Sequence, residues 1–261
     1  MNIRNILKSA NKKNVPYIER KTMKLDVLAI GAHPDDIELS CSATVAKLIG
    51  QGKKVGIVDL TDGELGTRGT RSLRLREAEE ASRILGVTER IRLRLHDGNI
   101  EVSQTNIKKL IQIIRQYQPT ILLFPHWLER HPDHERAHRL CREAWFYSGL
   151  EKIPTRYHGK LQHPFRPKKY FHFMQKYEFQ PTFIVDVSDE YATKQRSLAA
   201  FSSQFYNPKS KEQETILSSK LFLESIYARD RHFGSLINVE YGEPFYSVEP
   251  LGFSTFFDIL M

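Results

Sequence analysis

Two short apolar runs far apart in the chain, Val27-Leu28-Ala29-Ile30 and Ile121-Leu122-Leu123-Phe124, most limit how it can fold. Each stops at a backbone punctuator, Gly31 or Pro125, and leads into ligating side chains. His33-Pro34-Asp35-Asp36 follows the first and Glu129-Arg130-His131-Pro132-Asp133-His134 the second. An apolar run of this length without polar alternation suits a strand covered on both faces of a parallel sheet. Open sheets of that kind place their sites beyond the carboxyl ends of the strands. The two clusters therefore meet in space if their strands are neighbours.

The rest of the chain supplies the layers. Residues 24–31 form the first strand, and residues 37–50 show helical spacing, with Ile37, Cys41, Val45 and Leu48 able to share one face. A second strand at 54–60 runs into the Gly-rich loop 61–70 and a charged helix over 72–85. A third strand at 91–95, a helix over 106–117 with Ile107, Leu110, Ile111 and Ile114 as its stripe, and a strand at 120–124 follow. After the second cluster come a helix over 135–147, a long loop over 153–167, strands at 169–174 and 182–187, and helices over 191–205 and 214–233. Strands alternating with helices through short links predict an α/β fold, Rossmann-like and three-layered, with a mostly parallel sheet and helices on both faces. The 261 residues suffice for one such domain over 23–261, preceded by a basic extension over 1–22.

Lysine and arginine exceed acidic residues by 39 to 31, a net charge of +8. That balance fits a nucleic-acid partner, an anionic membrane or an acidic substrate. The positive residues are scattered, which favours a basic face on a soluble enzyme over the first two. Two cysteines, Cys41 and Cys141, are too few for a disulfide framework and point to a reducing compartment. No apolar stretch approaches membrane-spanning length, and the first residues lack the apolar core of a secretory signal.

Zinc takes nitrogen and oxygen ligands in a roughly tetrahedral array, and a catalytic zinc keeps one position open. His33, Asp36 and His134 would supply three ligands, leaving Asp35 to take a proton from water and His131 to face the substrate carbonyl. The competing reading has Asp35 and Asp36 capping the next helix and the later histidines on a surface loop. Both clusters ending apolar strands argues against it. The donors also admit Fe2+ or another divalent ion.

Ala32-His33-Pro34-Asp35-Asp36 followed by His131-Pro132-Asp133-His134 resembles the signature of the LmbE-like, or PIG-L, zinc-dependent N-deacetylases. The likeness extends through the Gly-rich loop and Arg74-Leu75-Arg76-Glu77-Ala78. The tail elements Ser203-Gln204-Phe205-Tyr206 and Tyr241-Gly242-Glu243-Pro244-Phe245 look most like the bacillithiol biosynthesis branch. The resemblance implies one zinc held by His33, Asp36 and His134, with Asp35 as general base. It makes His131 the acid or oxyanion stabiliser and Asp133 the group that orients a histidine. Glu38 fits a recurring acidic position whose role the pattern leaves open. Arg74 matches the family's substrate-contacting arginine, its alternative being an exposed helix residue. Glu64 and Arg130 are further substrate-binding candidates, Arg130 being either a clamp or a local partner of Glu129.

The implied substrate is N-acetylglucosaminyl L-malate, a small anionic sugar conjugate that a basic mouth would attract. The implied protein is a cytoplasmic homo-oligomer with no nucleic-acid or membrane partner. A second reading keeps the chemistry but changes the substrate to another N-acetylglucosamine conjugate or a chitooligosaccharide. A third, a basic nucleic-acid-binding protein, lacks any recognition motif in this sequence.

Overall fold

The computed structural model describes residues 23–255. The basic extension expected over 1–22 lies outside the described residues. The chain opens with β1 (Val27–Gly31), α1 (Asp36–Ser40), α2 (Ser42–Gly50), β2 (Val55–Thr61), α3 (Arg71–Leu85) and β3 (Glu89–Leu95). Next come α4 (Gln104–Tyr117), β4 (Ile121–Pro125), α5 (Pro132–Ser148), and the short strands β5 (Arg156–Tyr157) and β6 (Lys160–Leu161). The chain closes with β7 (Lys169–Phe173), β8 (Phe183–Asp186), α6 (Tyr191–Ala200), α7 (Lys220–Ser235) and β9 (Gly242–Tyr246).

Seven strands form one sheet in the order β3-β2-β1-β4-β7-β9-β8. The first five run parallel, and β9 lies antiparallel to both β7 and β8. Alternating side chains divide the core between the two faces. Leu28 and Ile30 pack with Leu110, Ile114 and Leu140 on one side, while Val27 and Ala29 pack with Val45, Ile57 and Phe245 on the other. The strand order reverses between β1 and β4, whose register pairs Val27 with Ile121 and Ala29 with Leu123. A crevice opens at such a switch point because the connections leave in opposite directions. Both histidine clusters leave the sheet there.

Several expected elements change on folding. The helix expected over 37–50 is two helices broken at Cys41, since Glu243 from β9 accepts the amides of Ala43 and Thr44 at 3.2 and 2.7 Å. That carboxylate caps α2 from across the molecule, where Cys41 supplies no side-chain cap. The helices expected over 191–205 and 214–233 shorten to α6 and α7, and Ser219 caps α7 by accepting the amide of Phe222. The expected loop over 153–167 contains the β5–β6 hairpin, turned through His158 and Gly159, both at positive φ. The tail element Tyr241-Gly242-Glu243-Pro244-Phe245 leads into strand β9, with Phe245 buried in the sheet.

Candidate metal and catalytic site

Beyond β1 the backbone doubles back. A Cβ at Gly31 would lie 2.9 Å from the Cβ of Asp36, so glycine lets this loop close. Asp36 then accepts the amide of His33 at 2.9 Å. Asp35 sits at φ 118°, a conformation that non-glycine residues rarely adopt. Its side chain makes no cap hydrogen bond to α1 and instead pairs with Arg74, Nη2 to Oδ2 at 2.9 Å. From the neighbouring strand, Pro132 occupies the first turn of α5, and His131 Nδ1 accepts the amide of Asp133 at 3.1 Å. That bond leaves the proton of a neutral His131 on Nε2.

The clusters converge as the sequence predicts. His134 Nε2 lies 3.2 Å from Asp36 Oδ1, and the ring centroids of His33 lie 4.8 Å from His131 and 5.4 Å from His134. Among the described residues two sets could hold a metal ion, His33 with Asp36 and His134, and His33 with His131 and Asp133. Within each, the ligand atoms lie within 4.8 Å of one another. Asp133 is well satisfied, accepting the amides of Gly98 and Ile100 at 2.7 and 3.3 Å and facing Arg136. His134 Nδ1, by contrast, is buried without a hydrogen-bond partner.

The electrostatics favour a cation. Burial opposes an imidazolium at His33, yet Asp133, Asp97 and Asp36 outweigh it and raise its pKa to about 10. Burial also works against a charged Asp36, but His134 and His33 hold its carboxyl well below the usual range. Asp35 goes the other way, pushed up to about 7 by burial against the pull of Arg74. Burial, with the neighbouring His33 and His134, lowers His131. Two histidines and a carboxylate within ligating reach of one another, in a field that stabilises positive charge, fit a divalent metal.

A cavity of about 340 Å³ opens over these groups, with His33, Asp35, Asp36, His131 and His134 in its lining. Arg74 also lines it but is 7% exposed, with its fork turned to the chain. It donates to the carbonyls of Pro34 and Gly63 as well as to Asp35, so it is no exposed helix arginine. Glu64 lies outside the lining and accepts the amide of Asp97 at 3.0 Å. Arg130 lines the cavity, and Glu129 takes its backbone amide rather than its guanidinium. Glu38 is buried and pairs with Arg90 at 2.7 Å.

Sequence reasoning passed over Asp97, whose Oδ1 lies 3.1 Å from His33 Nε2. Its signal was its place after the third strand, in His96-Asp97-Gly98, the position His33 holds after the first. Gln175 and Lys176 also line the cavity and carry no local signature, and Gln204 joins them from the Ser203-Gln204-Phe205-Tyr206 element.

The PIG-L family model, GlcNAc-PI de-N-acetylase, matches residues 28–145, the span holding both histidine clusters. A diacetylchitobiose deacetylase of Thermococcus kodakarensis is 33% identical over 206 residues, covering 74% of each chain. A conserved protein of Thermus thermophilus superposes with a TM-score of 0.78 at 35% identity, covering 88% of this chain and 97% of its own. The N,N'-diacetylchitobiose deacetylase of Pyrococcus horikoshii gives a TM-score of 0.74 at 27% identity, over 90% and 88%. Shared fold and shared sequence over these lengths, with a cluster able to hold a metal at the switch point, place this chain in the PIG-L family of N-deacetylases, enzymes that hydrolyse an amide C–N bond.

Proposed function

We propose that this enzyme is a zinc hydrolase that removes the acetyl group from N-acetylglucosaminyl L-malate in bacillithiol biosynthesis. The observation that carries the reading is the convergence of His33, Asp36 and His134 under a cavity that Asp35 and His131 also line. Those three would hold the metal, because both oxygens of Asp133 already accept backbone amides, whereas Asp36 accepts one through Oδ2 and keeps Oδ1 beside His134. When bound, zinc supplies Lewis acidity toward the amide carbonyl and the attacking water. Asp35 takes the proton of that water, and its near-neutral pKa suits a base that later returns the proton to the leaving amine. The Nε2–H of His131 donates to the acyl oxygen as negative charge develops on it. Fe2+ satisfies the same donor set.

The sugar follows from the family, since the family description and both chitobiose deacetylases refer to N-acetylglucosamine compounds. The malate rests on the tail elements around Ser203 and Tyr241. A chitooligosaccharide substrate is the second reading, favoured by the Thermococcus relative. Amine release from N-acetylglucosaminyl malate, N,N'-diacetylchitobiose and methyl N-acetylglucosaminide separates the two. The malate conjugate is expected to give the highest kcat/KM, and a preference for diacetylchitobiose would replace it with the second reading.

A further inference from the structure

Glu129 lines the cavity but takes no part in the chemistry above. It is 4% exposed, and both carboxylate oxygens are engaged by backbone amides. Oε2 accepts from Arg130 at 3.0 Å, and Oε1 accepts from Lys176 at 2.9 Å and Tyr177 at 3.2 Å. Arg130 stands in the loop after β4, while Lys176 and Tyr177 stand in the loop after β7, the next strand in the sheet. One buried carboxylate therefore joins two loops at the carboxyl ends of neighbouring strands. It also fixes the separation of two cationic residues.

Arg130 and Lys176 both line the cavity and are exposed, and neither has an ionic partner among the described residues. The other cations of the lining are committed. Arg68 pairs with Ser210 and Glu212, and Arg74 with Asp35 and two carbonyls. Uncompensated positive charge in the cavity thus lies on the β4–β7 side of the histidines, while Asp97 and the Gly-rich loop occupy the β2–β3 side.

We propose that Arg130 and Lys176, positioned by Glu129, form a subsite for an anionic group on the aglycone, a carboxylate or a phosphate. The proposal rests on the reading of this cavity as a site for N-acetylglucosamine conjugates. An arginine fork can grip either anion through two parallel bonds, and a lysine adds a point charge that follows the group as it settles. A neutral aglycone leaves both cations in water, so the subsite discriminates by charge before it discriminates by shape.

The test uses the metal-loaded enzyme and three substrates that share the sugar: the malate glycoside, a phosphodiester glycoside and the neutral methyl glycoside. Arg130→Gln and Lys176→Gln are each expected to raise KM on an anionic substrate, lowering kcat/KM by roughly 10- to 100-fold, with a far smaller loss on the methyl glycoside. Glu129→Gln, which keeps both cations but replaces one acceptor oxygen with an amide donor, is expected to raise KM on the anionic substrates while leaving kcat close to wild type. Whichever anion the wild type prefers identifies the source of the charge. Equal losses on all three substrates, or no loss, overturn the subsite. If none of the substrates is turned over, the reading of the cavity fails, and calorimetry with L-malate and inorganic phosphate then decides the subsite separately. Binding weakened severalfold in both Arg130→Gln and Lys176→Gln upholds it, and unchanged binding refutes it.

Discussion

Arg74 donates from Nη2 to Asp35 Oδ2 at 2.9 Å, and from Nε and Nη2 of the same guanidinium to the carbonyl of Pro34, one residue earlier, at 3.3 and 3.1 Å. One side chain of α3 thus grips both the carboxylate and the peptide that leads into the unusual backbone at Asp35. Such a conformation persists only where its surroundings over-determine it. Lysine, a single point charge, cannot reproduce the fork. Arg74→Lys is expected to lower kcat by roughly 10- to 100-fold with little change in KM, since the loss falls on the aim of the base. Steady-state kinetics on a responsive substrate check this, and a change confined to KM would mean that Arg74 grips the substrate instead.

Asp35 and His134 should separate under mutation. His134→Ala removes a ligand candidate and is expected to lose both metal and turnover, where the wild type is expected to bind about one divalent ion per chain. Asp35→Asn keeps the shape of the site and is expected to retain the metal while losing on the order of 10²- to 10⁴-fold in turnover. Elemental analysis beside activity distinguishes the two. Full metal occupancy in His134→Ala would remove it from the ligand set.

His138 and His172 both place Nδ1 near the carbonyl of Pro125, at 3.2 and 3.0 Å, just before the second histidine cluster. Burial lowers their pKa values to about 4 and about 3. Above pH 6.5 both are neutral in the folded and the unfolded chain and contribute no slope. Below it the unfolded chain takes up protons that the folded chain does not, so stability falls as the pH drops from about 6.5 toward 4, by roughly 1.4 kcal/mol per unit for each histidine. Urea unfolding of the metal-free protein at pH 7.5 and 5 measures the loss. His172→Leu is expected to show a smaller drop between the two pH values, and an identical drop would clear His172 of the effect.

Arg90 bridges two buried carboxylates, chelating Asp59 at 2.7 and 2.9 Å and reaching Glu38 at 2.7 Å. Arg90→Met leaves both acids in the interior without their counter-ion, which costs about 3–5 kcal/mol for a broken buried pair. Chemical denaturation should show that loss, with Glu38→Gln costing less because Arg90 keeps Asp59. A near-neutral Arg90→Met would mean that the two carboxylates take up protons at little cost.

What was legible in the sequence was whatever sits in contiguous residues. His33 through Asp36 and His131 through His134 each follow an apolar run that marks its strand, so donor type, order and meeting place could be read together. The charged helix and the Gly-rich loop after β2 were legible for the same reason, since periodicity and punctuation are local properties. Tertiary structure decided what depends on single residues brought from afar. Glu243 breaks the first long helix by capping α2 from the last strand, and that strand enters the sheet antiparallel between β7 and β8. Arg74 reads as a substrate arginine in the sequence, but its fork is directed to Pro34, Gly63 and Asp35 once the fold brings α3 to the loop after β1. Asp97, Glu129 and Lys176 reach the cavity because strand order places their loops around it. A lone lysine beyond a strand has no pattern of its own, and a carboxylate placed as Asp97 is takes its meaning from which strands become neighbours.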